Sequence, residues 1–149
     1  MSECPLCDRL SSPTPPPGGW IHRDDSWAVS AHPGIAVPGW LALQTTRHVA
    51  TLAELNDGEA ASLGGLLREM SRVLEAATGA DRTYTYALGE GVRHVHTLLG
   101  VPLSPTNSTD RGSRLLTRIL TRDPTLEQPQ RRDEVCAAIA RGVGDTSFH

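Results

Sequence analysis

Lysine is absent: all 14 basic residues of the chain are arginine. That excludes a lysine Schiff base, a lysine general base and a Walker-type phosphate loop, each of which needs an amine at a fixed place. A basic excess is also lacking. The formal net charge is −3, so no broad positive field draws nucleic acid or an acidic membrane. No apolar run nears the roughly 20 residues that span a bilayer. The opening segment MSECPLCDRL carries no apolar signal region, so a cytoplasmic setting with reduced thiols is expected. In that setting the NST at Asn107 is an incidental sequon. Cysteine is scarce, with three residues, and in reducing compartments such thiols serve metals or catalysis more often than disulfides. Internal repeats are lacking too. The 149 residues suit one domain over 1–149 with one core.

What is present divides the chain in three. Residues 1–19 hold Cys4 and Cys7, followed by SSPTPPPGG, which is too rich in proline and glycine for regular structure and reads as a polyproline-like tether. The cysteine segment therefore needs an anchor other than a core. Residues 20–101 alternate apolar runs with turn signals. Trp20 to His22 and Trp27 to Ala31 flank RDDS and predict a hairpin. Trp40 to Thr46 predicts a third strand, RTYTYALG a fourth and RHVHTLLGV a fifth. Between the third and fourth, Leu63, Leu66, Leu67, Met70, Val73 and Leu74 recur at helical spacing, with Asn56 or Asp57 as cap and Gly79 as terminator. Residues 102–149 form a loop and a helical tail: RLLTRIL with Asp110 as cap, a break at Pro124 and Pro129, then RRDEVCAAIARGV with Cys136 on its apolar side. Strands segregated from helices predict an α+β fold with an antiparallel sheet of about five strands.

CPLC has the spacing of a zinc knuckle but supplies only half a site. The histidines that can complete it are His22, His32, His48, His94, His96 and His149. In an extended RHVHTLL, alternation sets His94, His96 and Leu98 on one face. Two histidines there can share a metal, or one can hold it while the other meets substrate. The plainer alternative is a metal-free CxxC beside two surface histidines. A redox CxxC fits less well, because that motif follows a strand and opens a helix. The tether favours a metal, since an arm with little apolar content needs an anchor.

The order TTRHVATLAEL, long helix, GEGVRHVHTLL resembles the histidine triad superfamily, including its zinc-bearing galactose-1-phosphate uridylyltransferase-like branch, over roughly Cys4 to Val101. The resemblance implies a HIT-like fold with the long helix packed across the sheet, and a homodimer. It implies one structural zinc (Zn2+) per chain, held by Cys4, Cys7, His48 and His94. It also implies that His96 is a nucleophile attacking the α-phosphate of a nucleotide, its other nitrogen held by a backbone carbonyl. Water or a sugar phosphate then resolves the nucleotidyl-histidine.

Three positions depart from that pattern. Leu98 stands where the resemblance implies a histidine or glutamine bonded to the phosphate or leaving group. GEGV puts Glu90 and Gly91 where a glutamine and a small hydroxyl residue are usual. An ionised carboxylate beside a phosphate is repelled by roughly a few kcal/mol at an effective dielectric of about 20. Where an acidic or polar residue grips the ribose, the chain reads SAHPGIAVPG, with His32 as candidate contact or as a solvated loop residue. Arg93 offers a phosphate or carboxylate fork, a partner for Glu90, or a solvated charge.

The expected function is a zinc-containing nucleotidyl hydrolase or transferase acting through His96. The alternative is a repurposed scaffold in which Glu90 and His96, or the zinc, run lyase, isomerase or hydrolase chemistry on a small molecule of a specialised biosynthetic pathway. A third expectation is a zinc-stabilised interaction module without catalysis.

Overall fold

Asp24 closes the first hairpin by accepting the backbone N–H groups of Ser26 and Trp27 at 2.8 and 2.7 Å. It joins β1 (Trp20–Arg23) to β2 (Trp27–Ala31). The structure, a computed structural model, describes residues 3–144; His149 lies outside the described residues. Three more strands, β3 (Leu41–Thr45), β4 (Tyr84–Tyr86) and β5 (His96–Gly100), complete an antiparallel sheet of order β1-β2-β3-β5-β4. With its helices this is the expected α+β arrangement.

Register gives the two faces different chemistry. Ala31, Leu41 and Leu99 stand side by side across three strands, as do Val29, Leu43 and Thr97. This face is covered by α2 (Asp57–Thr78), whose Met70, Val73 and Leu74 enter the core, and by α4 (Pro129–Gly144), which adds Val135, Cys136 and Ile139. Each fully buried aliphatic or methionine side chain contributes about 1.5–3 kcal/mol. The opposite face carries Ala28, Gln44 and His96 in one row and Ser30, Ala42, Leu98 and Tyr86 in the next. A second core lies around Trp40, Ile35 and Val37 under Leu115 and Ile119 of α3 (Gly112–Leu120).

The signals at the ends of α2 act as predicted. Asn56 caps it and Glu59 returns the bond, each at 2.8 Å. Gly79 ends it at φ 73, a left-handed backbone that favours glycine. Three expectations give way. Asp110 does not cap α3; its carboxylate pairs with Arg118 at 2.6 Å, and the position before the helix is Arg111. The amino-terminal arm is not held by a metal alone. Residues Pro5–Ser11 form a helix, α1, with Leu6 buried. Arg9 reaches Gln44 at 3.0 Å and the Ser30 hydroxyl, while Gln44 donates to the Leu6 carbonyl at 3.1 Å.

The fifth strand also begins later than predicted, at His96, so His94 lies outside it. The reason is local. The Thr45 carbonyl, at the end of β3, accepts from the His94 ring at 2.7 Å instead of from a strand backbone. The Val95 N–H turns to Val49 O at 2.7 Å. Alternation therefore does not relate His94 to His96.

Gly100 is demanded by packing: a β-carbon there would lie 2.3 Å from the Trp40 indole. Gly100→Ala is expected to destabilise the chain by about 1–3 kcal/mol through overpacking, read from the urea midpoint at unchanged m-value.

Candidate metal centre and active site

Cys4 and Cys7 converge with His48 and His94, their four donor atoms all within 4.8 Å of one another. Cys4 caps α1, its sulfur accepting from the Cys7 N–H at 3.5 Å, so one helical turn aims both sulfurs the same way. His94 Nδ1 lies 3.4 Å from Cys4 Sγ and 3.5 Å from Cys7 Sγ, and His48 Nδ1 lies 3.2 Å from Cys7 Sγ. A tetrahedral ion with metal–sulfur bonds of about 2.3 Å and metal–nitrogen bonds of about 2.0–2.1 Å needs sulfur–nitrogen edges of about 3.6 Å. The observed edges fit a small ion after a slight expansion. His22 stands apart, paired with Asp24 at 2.7 Å.

The ring states suit the same purpose. A carbonyl only accepts, so the Nε2 of His94 that meets Thr45 O carries the proton. Its Nδ1 is left as a lone pair facing the sulfurs. Burial further lowers the pKa of His94 and favours the neutral ring that binds metals. Without a cation the thiols resist ionisation. Burial, then the bond and charge of Cys4, then the charge of Asp8 push Cys7 up to about 11. A divalent ion between the sulfurs reverses that balance. The donor set is compatible with one zinc ion.

His48 reaches the cluster because Arg47 anchors its loop. The Arg47 guanidinium forks onto Glu59 at 2.8 and 3.2 Å and donates to Glu54 O at 3.0 Å. That fork, aided by the Asn56 N–H, holds the buried Glu59 carboxyl below the usual carboxylate range. Sequence reasoning gave Arg47 no role, although its place beside His48 in TTRH and the capping glutamate were both visible.

His96 begins β5 and stands opposite Gln44. Its Nδ1 lies 2.7 Å from His94 O and therefore carries the proton, which leaves Nε2 as the basic atom of the neutral ring. His96 lines a pocket of about 410 Å3 with Glu90, Arg93, Leu52 and Leu88. No hydrogen bond joins Glu90 to His96, and no ion pair joins Glu90 to Arg93, among the described residues. Arg93 is exposed and borders both this pocket and the cleft beside Cys4, Cys7 and His48. Gly91 lines that cleft and not the His96 pocket; its φ of 82 is what requires glycine there. Leu98 is 8% exposed between Ala42 and Tyr86 and brings no polar atom.

His32 follows β2, on the far side of the same sheet face. Its Nδ1 accepts from the Gly34 N–H at 2.9 Å. Burial, then the charges of Arg122, Arg9 and His96, lower its pKa to about 4. It faces neither bulk water alone nor the metal cluster, but a separate cavity with Arg9.

No family model and no curated protein matches this sequence. Solved structures do match it. A zinc-bound histidine triad family protein from Mycobacterium smegmatis superposes with TM-score 0.70 at 14% identity, over 95% of this chain and 94% of that one. A hypothetical histidine triad nucleotide-binding protein from Sulfolobus tokodaii gives TM-score 0.68 at 16% identity, over 98% and 100%. A uridylyltransferase gives TM-score 0.66 at 16% identity, over 96% of this chain and 46% of that one. The chain thus has the histidine triad fold, as its motifs led one to expect. No helix among the described residues is long and apolar enough to cross a membrane.

Two measurements follow. Elemental analysis of the purified chain is expected to find one zinc per chain, absent from Cys7→Ser, and chelation is expected to lower Tm by about 10 °C or more. The His32 ring is expected to titrate by NMR near pH 4. Because the folded ring refuses a proton that the unfolded ring accepts near 6.5, its share of stability is present above that pH and is lost as pH falls toward 4.

Proposed function

We propose that the chain is a zinc-stabilised histidine enzyme, a nucleotidyl hydrolase or transferase acting on a nucleotide conjugate. The observation that carries this reading is the state of His96. Its Nδ1–H is committed to His94 O, so the Nε2 lone pair is the ring's free nucleophile at a pocket. Nε2 attacks phosphorus, a nitrogen–phosphorus bond forms, and the bond to the leaving group breaks. Water or an acceptor hydroxyl then attacks the same phosphorus and the imidazole departs. Glu90, on the same pocket, takes the proton of that incoming oxygen. Arg93 binds phosphate oxygens at the pocket edge. Cys4, Cys7, His48 and His94 would hold the zinc, whose contribution there would be structural support.

Leu98 shapes the substrate range. It offers no proton to a departing oxygen or amine, so the leaving group must depart as its own stable anion. Nucleoside monophosphate aryl esters with acidic phenols are expected to turn over, with rates falling steeply as the phenol pKa rises. Leu98→His is expected to flatten that dependence. His96→Ala is expected to abolish turnover while retaining the metal. Failure of wild-type protein to cleave or bind any member of an aryl ester and phosphoramidate series would sink the reading.

The alternative, Glu90 and His96 as an acid/base pair for non-phosphoryl chemistry, has less support because the two side chains share a pocket without a mutual hydrogen bond. The proposal includes the homodimer and cytoplasmic setting expected from the sequence. Sedimentation equilibrium measures the dimer.

A further inference from the structure

A second cavity, of about 430 Å3, opens between α1 and the loop after β2. Arg9, His32, Pro33 and Arg132 line it, and Glu127 stands exposed at its margin. Arg9 is its unusual member. Its guanidinium is half-buried and donates to Gln44 Oε1 at 3.0 Å and to the Ser30 hydroxyl, both neutral and both about 1% exposed. It also lies 5.5 Å from the Trp20 ring centroid, and Arg23 lies 5.2 Å from the same ring. Among the described residues no carboxylate pairs with Arg9. A guanidinium removed from water and matched only to neutral acceptors is costly to keep. Two neutral contacts also leave other N–H donors of the fork unused.

Apart from exposed Glu127, the remaining titratable walls add donors. His32 accepts the Gly34 N–H through Nδ1, so its neutral ring carries the proton on Nε2. Arg122 covers Gly34 so closely that a β-carbon there would lie 3.2 Å from the guanidinium nitrogens and 3.0 Å from the His32 ring. Arg122 makes no ion pair among the described residues, whereas Arg132 is paired with Asp133 at 2.9 Å. Arg122 also has φ 56, the only non-glycine residue with positive φ among the described residues. It follows α3, a position where glycine is the easy choice. Arg122 is exposed and does not itself line the cavity, but it lies against Gly34, which does, so a side chain kept there against backbone preference brings its charge to the cavity's edge.

We propose that this cavity binds an oxyanion, a phosphate or carboxylate on a small molecule, through Arg9, with His32 and Arg122 at its rim. The fork of Arg9 takes two oxygens, and the neutral imidazole gives a further N–H without drawing a proton from the ligand. The volume admits a small metabolite and not merely a bare ion. The inference does not rest on the reaction assigned to His96, which lines a different pocket.

The test is isothermal titration calorimetry of the full chain, as purified, with inorganic phosphate and separately with succinate. One of the two is expected to bind, and competition between them identifies which oxyanion the site prefers. Arg9→Gln and Arg122→Gly are each expected to weaken binding about 10-fold or more, the value of a charge-assisted bond. Arg122→Gly should do so with Tm unchanged or raised, which separates a ligand contact from a structural role. His96→Ala is expected to keep the affinity, which separates this cavity from any phosphate position at His96. If Arg9→Gln alone weakens binding at unchanged Tm, the cavity stands and Arg122 is not part of it. If Arg9→Gln lowers Tm, the Arg122→Gly affinity decides: weakened, the proposal holds; unchanged, it falls. Absence of binding by either anion, wild-type affinity in both arginine variants, or loss of binding in His96→Ala alone would overturn it.

Discussion

One residue, His94, makes three polar commitments on which both halves of the site depend. Its Nε2–H goes to Thr45 O, its Nδ1 faces the two thiols, and its carbonyl receives His96 Nδ1. Each commitment forces the next. A carbonyl on one side of a neutral imidazole sets the proton there and bares the nitrogen on the other. The backbone that brings this ring under the sulfurs also turns its own carbonyl to the next histidine. The four-donor cluster and the His96 ring are therefore a single structural unit with no independent adjustment between them.

The amino-terminal arm shows how a short polar segment is held when it brings little apolar surface. Leu6 supplies one buried side chain, and Gln44 receives the arm through both Arg9 and the Leu6 carbonyl. The thiol pair adds an anchor that a metal would close. The same helix thereby carries the two thiols on one turn and, two residues after Cys7, the guanidinium that reaches Gln44 and Ser30 on the sheet. This arrangement ties the cavity beside His32 to the four-donor cluster through one short helix.

The departures from the usual motif now have locations. Leu98 sits in a row with Ala42 and Tyr86, an apolar patch where a proton donor is customary. Glu90 and Arg93 lie on the loop before His94, at the pocket edge and exposed, with opposite charges left unpaired to each other. At the far end of the same face, where an acidic or polar ribose contact is customary, Arg9, His32 and Arg122 present cationic or neutral donors. The charge pattern of the face differs from the familiar one at both ends while the fold is retained.

Much of this was legible in the residues alone. The hairpin at RDDS, the capped helix from Asn56 to Gly79 and the buried Cys136 follow from turn chemistry and periodicity, which act over a few residues, while the set Cys4, Cys7, His48 and His94 came from the family resemblance, the residues themselves leaving six histidines open. Local sequence does not encode which distant group claims a backbone carbonyl. Thr45 O was taken by a ring 49 positions away and the Val95 N–H by Val49 O, and together these bonds end the strand before His94. Nor does it encode that Arg9 would cross to Ser30 and Gln44, or that Arg122 would lie over Gly34. Element type is a short-range property of the chain. The aim of a side chain across the sheet is decided only when strands of remote origin are packed, because only then do a cation and its acceptors share one desolvated space.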